Sequence, residues 1–355
     1  MSVQSPEPTL RNGTAPVRKR LASYATAAVY RAGWAVICRL PERLAYAMFR
    51  LAADVMWRRR GASVERYELN VQPMLDGPLS VERLRALSRA AMRSYLRYWC
   101  EAFRLNATDR TTLVARVIVH GDKHLRDPLA AGRGVICALP HMANWDHAGA
   151  WAVNTGVPFT TVAERLRPAS LFDAFVAYRE SIGMEVVAAD DRDAFATLST
   201  RLREGRMVAL VADRDMTARG IDVTLGGGRT RMPAGPAALA LRTGADLVPV
   251  SLWYDGPRMR LTFHPPVVRP PGLHGVAAVT DMTQQVADVF TAGIRAHPED
   301  WHMLQRFWLD APAPHSEPAG LPPAASGDPA LPATGAAYTA IPPAPAVRHP
   351  PGLGD

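Results

Sequence analysis

The sequence predicts an α/β fold: a central, mostly parallel or mixed sheet covered by helices, with amphipathic helices at the N-terminal end. Three observations carry this reading. From Val114 onward, short β-branched runs alternate with helical stretches, as strands joined by covering helices do. Two of the runs, Val135–Ala138 and Val208–Ala212, are wholly apolar, which is the pattern of strands buried on both faces. The first third of the chain is instead helical by pattern. With 48% hydrophobic and 21% charged residues over 355 positions, the chain can bury a sizeable core, and a wholly disordered or coiled-coil protein is excluded.

The elements follow in order. Residues 1–20 form a loose basic end that closes on Arg18-Lys19-Arg20. Helices are expected at about 21–39, at 41–57 with Pro41 in the first turn and Arg58-Arg59-Arg60-Gly61 ending it, and at 80–104 behind a Ser80 cap with Glu82 close by. Strands are expected at Val114–His120, Gly134–Leu139, Phe159–Ala163, Met184–Ala189, Met207–Ala212, Leu247–Trp253 and Met259–Phe263. Helical candidates lie at about 144–154, 168–182, 192–204, 234–243 and 276–296. Residues 311–355 hold 12 of the 31 prolines and read as a disordered Pro/Ala-rich tail. The folded unit is thus a single domain over 21–310, with a mainly helical, membrane-facing part at 21–104 and an α/β core at 114–310.

Charge is polarised along this chain. Residues 1–60 carry eleven basic and three acidic side chains, so the net charge of +8 sits at one end. Such an end suits phosphate on nucleic acid or on anionic lipid, and its apolar neighbours favour lipid. Leu21–Tyr30, Ala32–Cys38 and Leu44–Phe49 are cut by arginines before any reaches the roughly 18 uncharged residues of a spanning helix. Met1–Pro16 lacks the apolar core of a secretory signal. Cys38, Cys100 and Cys137 form neither a disulfide framework nor a metal-ligand spacing, which points to a reducing setting. The expectation is peripheral attachment to the cytoplasmic face of an anionic membrane, with no nucleic acid as partner.

The chemistry concentrates where an apolar strand runs into a polar cluster and then a helix, from Gly134 through Pro140, His141, Asn144 and Asp146 to His147. Ligand and catalytic groups favour the carboxyl ends of such strands. On a regular helix His141 and Asp146, five apart, would not face each other, but in a turn they can meet. A carboxylate on one imidazole nitrogen fixes the tautomer and leaves the other nitrogen to take a proton from a substrate hydroxyl or thiol. The plainer readings are a hydrogen-bonded structural histidine and an Asp146 that complements the helix dipole. A metal held by His141, Asp146 and His147 lacks a second ligand set. Neither a Gly-x-Ser-x-Gly elbow nor a Walker loop occurs.

His141-x4-Asp146 after a strand, with Pro140 before it and Asn144-Trp145 inside it, resembles the signature of the lysophospholipid acyltransferase superfamily. The resemblance spans nearly all of 21–310. Arg60, Arg66, Asn70 and Pro73 before the motif, Glu164, Arg179 and Ala212-Asp213-Arg214-Asp215 after it, and Gly226–Gly235 with Pro249 resemble blocks of the bacterial lipid A acyltransferase branch. The segment from His297 through Trp301 and His302 to Arg306 resembles the end of actinobacterial phosphatidylinositol mannoside acyltransferases.

The resemblance implies a glycerolipid-acyltransferase-like fold and transfer of a long acyl chain, with palmitoyl the expected one. The donor would be acyl-CoA as co-substrate, and the acceptor a mannose hydroxyl of a phosphatidylinositol mannoside. No metal or prosthetic group would be needed. His141 would be the general base and Asp146 its orienter, with Asn144, Glu164, Arg179, Asp213, Arg214 and Asp215 as substrate-binding residues. By the residues alone Glu164 and Asp215 could be salt-bridge partners of Arg165, Arg167 or Arg214, but at strand ends beside the cluster they are expected to orient His141 or the acceptor. Alternation leaves Asp213 and Asp215 both open, Asp215 being placed ahead. Trp301 and Trp308 could be core or membrane-edge aromatics. The rival functions are transfer to lipid A or another glycolipid, from acyl-CoA or acyl carrier protein, and non-catalytic lipid binding.

Overall fold

The computed structural model describes residues 36–164, 176–215 and 220–310. The expectations for 1–35, for the first part of the 168–182 helix and for the 311–355 tail lie outside the described residues.

Helices come first: α1 Glu42–Arg59, α2 Ala62–Val71, α3 Val81–Arg104 and α4 Arg110–Ala115. Pro41 stands one position earlier than expected, as the N-cap, and its carbonyl accepts the first helical N–H bonds of α1. Glu42 in the first turn and Arg58 and Arg59 in the last complement the helix dipole. The Ser80 hydroxyl caps α3 by accepting the Arg83 N–H.

Between Val114 and His120 the structure differs from the sequence reading. Asp109 accepts the Thr112 N–H and starts α4, so a cap overrides the β-propensity of Thr111, Thr112 and Val114. The strand β1 is only Val117–His120. Helices α2 and α5 (Lys123–Ala130) were also not anticipated.

The sheet comprises β1, β2 Val135–Leu139, β3 Phe159–Ala163, β4 Glu185–Ala188, β5 Met207–Val211, β8 Asp246–Asp255 and β9 Arg258–Phe263, in the order β1-β9-β8-β2-β5-β3-β4. All neighbours are parallel except β8 and β9. The wholly buried β2 takes the central place with β5 beside it. Alternation then divides the core. Ile136, Ala138 and Val208 pack on α9 (Gly275–Ala296), while Val135, Cys137, Leu139, Met207 and Ala209 pack on α6 (Trp145–Asn154). Helices α7 (Ala194–Arg203) and α8 (Gly235–Thr243) complete the first of these layers.

A hairpin, β6 Ile221–Leu225 and β7 Gly228–Met232, stands apart from the sheet. Its two-residue turn is Gly226-Gly227, with φ +59° at Gly226, the kind of turn that keeps the twist of paired strands. A Cβ at Gly226 would meet the Met74 sulfur at 2.7 Å and the Pro73 carbonyl at 2.8 Å, so close packing also demands glycine there.

Candidate active site

His141 leaves the C-terminal end of β2, the central strand, in a short loop held from the far end of the chain. The Ala143 N–H donates to the Asp300 carbonyl, the His302 N–H donates to the His141 carbonyl, and Met142 bridges Trp301. Ala143 sits at φ +45°, a backbone state unfavourable for a residue with a Cβ and kept only where surrounding contacts over-determine it.

The carboxylate on the imidazole is Asp213, just past β5. Its Oδ1 lies 2.5 Å from Nδ1 of His141, and its Oδ2 accepts the His141 N–H and the Trp301 Nε1–H, each at 3.0 Å. Asp213 is fully buried, whereas the His141 side chain is 23% exposed. Burial alone would raise the Asp213 pKa, but the charge of His141 and these three hydrogen bonds prevail and hold it below the usual carboxylate range. An ionised Asp213 fixes the proton on Nδ1. Nε2 then carries a lone pair, and among the described residues nothing hydrogen-bonds to it.

Two site expectations are therefore corrected. Asp146 does not orient His141: the second residue of α6, it faces α3 and Arg179. It accepts the Tyr98 hydroxyl at 2.9 Å and pairs with the Arg179 guanidinium at 2.7 Å, both partners being buried. Asp215, placed ahead of Asp213, instead accepts the Gly220 N–H and donates its N–H to the Arg231 carbonyl.

The other expected residues are placed as follows. Asn144 is wholly buried; it caps α6 by accepting the His147 N–H and donates to Glu101, so it shapes the loop. Glu101 also accepts from Arg97, Tyr46 and Tyr254. Burial would raise its pKa, but Arg97, His147 and the Asn144 hydrogen bond together prevail and hold the carboxylate below its ordinary range. Glu164 is exposed at the end of β3. Arg214 is half-buried next to Asp213; burial lowers its pKa while Asp213 and Glu164 act in the other direction. His147 bonds to the Leu113 carbonyl, so His141, Asp146 and His147 diverge. Among the described residues no three His, Cys, Asp or Glu side chains group as metal ligands would.

Trp145 links this pair to an apolar cavity. Its ring meets His141 edge-on at 5.4 Å and stacks on Tyr98 at 4.3 Å. The cavity beneath it encloses about 60 Å³ between α6 and the sheet, lined by Trp145, Gly149, Phe159, Met184, Met207 and their neighbours.

The sequence reading missed Tyr98, Glu101, Asp300 and His302 as parts of this apparatus, and Trp301 as a hydrogen-bond donor. The usable signal was polarity inside apolar context: Glu101 follows Tyr98-Trp99-Cys100, and Asp300 and His302 flank a tryptophan. Asp300 accepts the Ser94 hydroxyl and the Tyr254 N–H, and Ser94 also contacts His302 Nε2. Burial, helped by the charge of His141, pushes the His302 imidazole down to about 3, and burial pushes Asp300 up to about 6.

The two shifts oppose each other in stability. As pH falls from 6.5 toward 3 the unfolded chain protonates His302 first, so stability present above 6.5 is lost, with a limiting slope of about 1.4 kcal/mol per pH unit. Between about 6 and 3.8 the folded chain protonates Asp300 first, which offsets part of that loss. His302→Gln removes only the first effect. Its urea midpoint should therefore fall less than that of the wild type on acidification; parallel losses would mean that other groups govern the acid limb.

A histidine base on a buried carboxylate, with no Ser, Thr or Cys bonded to it among the described residues, is equipped to activate a hydroxyl that the substrate brings. With a hydrocarbon-lined cavity beside it, the site has the chemistry of an acyl-transfer enzyme. The chain belongs to the bacterial lipid A biosynthesis acyltransferase family, which matches residues 16–310. It is 43% identical to a phosphatidylinositol mannoside acyltransferase of Mycolicibacterium smegmatis over 282 residues, 79% of this chain and 90% of the relative. It is 42% identical to the Mycobacterium tuberculosis protein of the same name over 296 residues, 82% of this chain and 91% of that one.

Proposed function

We propose that this chain transfers a long fatty acyl group, palmitoyl foremost, from acyl-CoA to a mannose hydroxyl of a phosphatidylinositol mannoside, while bound peripherally to the cytoplasmic face of the membrane. The observation that carries the reading is the His141–Asp213 pair beside an apolar cavity, in a chain whose relatives bear that acceptor in their names. Among the described residues no helix is long and apolar enough to cross a membrane, which agrees with peripheral attachment.

In this mechanism Nε2 of His141 takes the proton of the mannose hydroxyl as its oxygen attacks the thioester carbonyl. The tetrahedral intermediate collapses to the ester and expels the CoA thiolate, which receives the same proton from the imidazolium. Asp213 stabilises that imidazolium, and Trp301 holds Asp213 in place. Arg214, whose charge interacts with Asp213 and Glu164, would meet an anionic group of either substrate. The acyl chain passes Trp145 and enters beneath α6, where Met184 and Met207 can shift to widen a slender cavity.

Gly149 sets the width of that cavity. A Cβ there would meet Met184 Cε at 2.7 Å and Phe159 Cζ at 2.8 Å. Gly149→Val should cut palmitoyl transfer by roughly tenfold or more relative to a short acyl donor, in line with the value of a methylene or two in an apolar pocket. Equal losses with both donors would place the chain elsewhere.

The reading is tested by offering labelled palmitoyl-CoA to the purified chain with a phosphatidylinositol mannoside or a lipid A precursor. Label should enter the mannoside. Preference for the lipid A precursor, or strict need for acyl carrier protein, would overturn the acceptor or the donor. Absence of His141-dependent CoA release with any acceptor would leave a lipid-binding protein.

A further inference from the structure

A second cavity, of about 700 Å³, opens between α1, α3 and the turn joining β8 to β9, and five arginines line it: Arg43, Arg50, Arg93, Arg97 and Arg116. Three are already matched. Arg93 binds Asp54, Arg97 binds Glu101 and Arg116 binds Glu42. Arg43 and Arg50 are exposed and have no carboxylate partner among the described residues.

Of the acidic groups on the wall, Glu42 is the partner of Arg116, and Asp300 has both oxygens engaged by Ser94 and Tyr254. Glu299 lies 3.9 Å from His297. Burial lowers the His297 pKa, so Glu299 has no cation in His297, and Asp54 is shared between Arg93 and Arg89. The wall still carries more guanidiniums than carboxylates, and at the mouth Arg43 and Arg50 share one face of α1 at a spacing of seven.

The adjacent face of α1 is apolar and uncovered. Leu44, Met48 and Leu51, spaced by four and three, are 48%, 48% and 62% exposed. Arginines beside a bare Leu/Met stripe are the pattern of a helix lying in a membrane interface, and this puts the mouth of the cavity at the depth of lipid phosphates. The cavity does not reach the base directly. Ser94, on its wall, contacts His302, and the His302 backbone holds the loop of His141.

We propose that this cavity binds the phosphodiester headgroup of an anionic membrane lipid through Arg43 and Arg50, with Leu44, Met48 and Leu51 seated among the acyl chains. It is a lipid site apart from the His141 centre and does not depend on the acyl-transfer reading. Two turns of helix set these residues roughly 10 Å apart along the axis, and if their long side chains reach the same phosphate they offer it paired donor forks that a diffuse basic surface lacks.

The test is flotation of the full chain with vesicles of phosphatidylcholine, with and without phosphatidylinositol. Arg43→Gln with Arg50→Gln should weaken binding to the phosphatidylinositol vesicles by roughly 30-fold, about fivefold for each basic residue near the surface. Arg58→Gln with Arg59→Gln removes the same charge from the other end of α1 and should cost less than about fivefold in all. Equal losses in the two pairs would show a diffuse field and overturn the site. Changing Leu44, Met48 and Leu51 to Ser separates the sources of phosphate. It should abolish flotation, whereas calorimetry with soluble myo-inositol 1-phosphate should show the same weak heat as for the wild type. Flotation that survives those three changes would show that this face of α1 is not seated among the acyl chains and would overturn the site. Strong heat with soluble myo-inositol 1-phosphate would show that a free phosphate, not a lipid, is the ligand. All positions are exposed, and unchanged circular dichroism would confirm that each variant folds.

Discussion

His141→Ala lowers turnover by about 100-fold or more, the smaller end of what loss of a general base costs, and Asp213→Asn comes close to it. The two belong together because the base works only with its proton fixed on Nδ1. The ionised Asp213 fixes it at 2.5 Å. An amide in that place can present its NH₂ to Nδ1 instead and turn the wrong nitrogen toward the substrate. Neither change should unfold the chain, since His141 is partly exposed and Asn keeps the size of Asp and can still accept from Trp301. Steady-state rates per folded molecule, with KM held apart from kcat, make the comparison. A drop confined to KM would return both residues to substrate binding.

Asp146→Ala has its largest effect on stability. It strips the carboxylate from an Arg179 that is only 8% exposed and from the buried Tyr98 hydroxyl. Breaking a buried ion pair by deleting one partner costs about 3–5 kcal/mol, which in a domain of this size lowers the melting temperature by roughly 6–15 °C. Replacing both partners, Asp146→Leu with Arg179→Leu, should recover part of the loss, because packed apolar residues can substitute for a buried pair whose desolvation was costly. Calorimetric scans of the single and double variants decide this. If the double change is as damaging as the single one or worse, the pair does more than bridge α6 to the helical segment at 176–181.

Much of the fold was legible because periodicity is a property of the chain. The unbroken apolar runs at β2 and β5 mark the centre of the sheet, and Ser80 marks the start of α3. What escaped was decided by local competition or by distant packing. A cap at Asp109 turned a β-branched stretch into α4, and the Gly226-Gly227 hairpin is confirmed by contacts with Pro73, some 150 residues earlier.

The site divides in the same way. His141 could be found from its place at a strand end, but its carboxylate could not be chosen by spacing. Asp146 is near in sequence, yet the first turn of α6 points it at α3. Asp213 is 72 positions away and arrives only because β5 pairs with β2. Trp301 and His302, which hold that carboxylate and that loop, come from farther still. Their roles depend on the closing segment folding back over the carboxyl ends of the strands, which no local pattern encodes.

The most direct test of the account is a side-by-side rate measurement on wild type, His141→Ala, Asp213→Asn and Asp146→Asn, with labelled acyl-CoA and a mannoside acceptor, normalised to folded protein at a temperature where all four are native. The account predicts that Asp213→Asn falls with His141→Ala, by about 100-fold or more, while Asp146→Asn stays within about tenfold of wild type, its cost appearing in the melting curve. The opposite order, with Asp146→Asn inactive and Asp213→Asn near wild type, would contradict it.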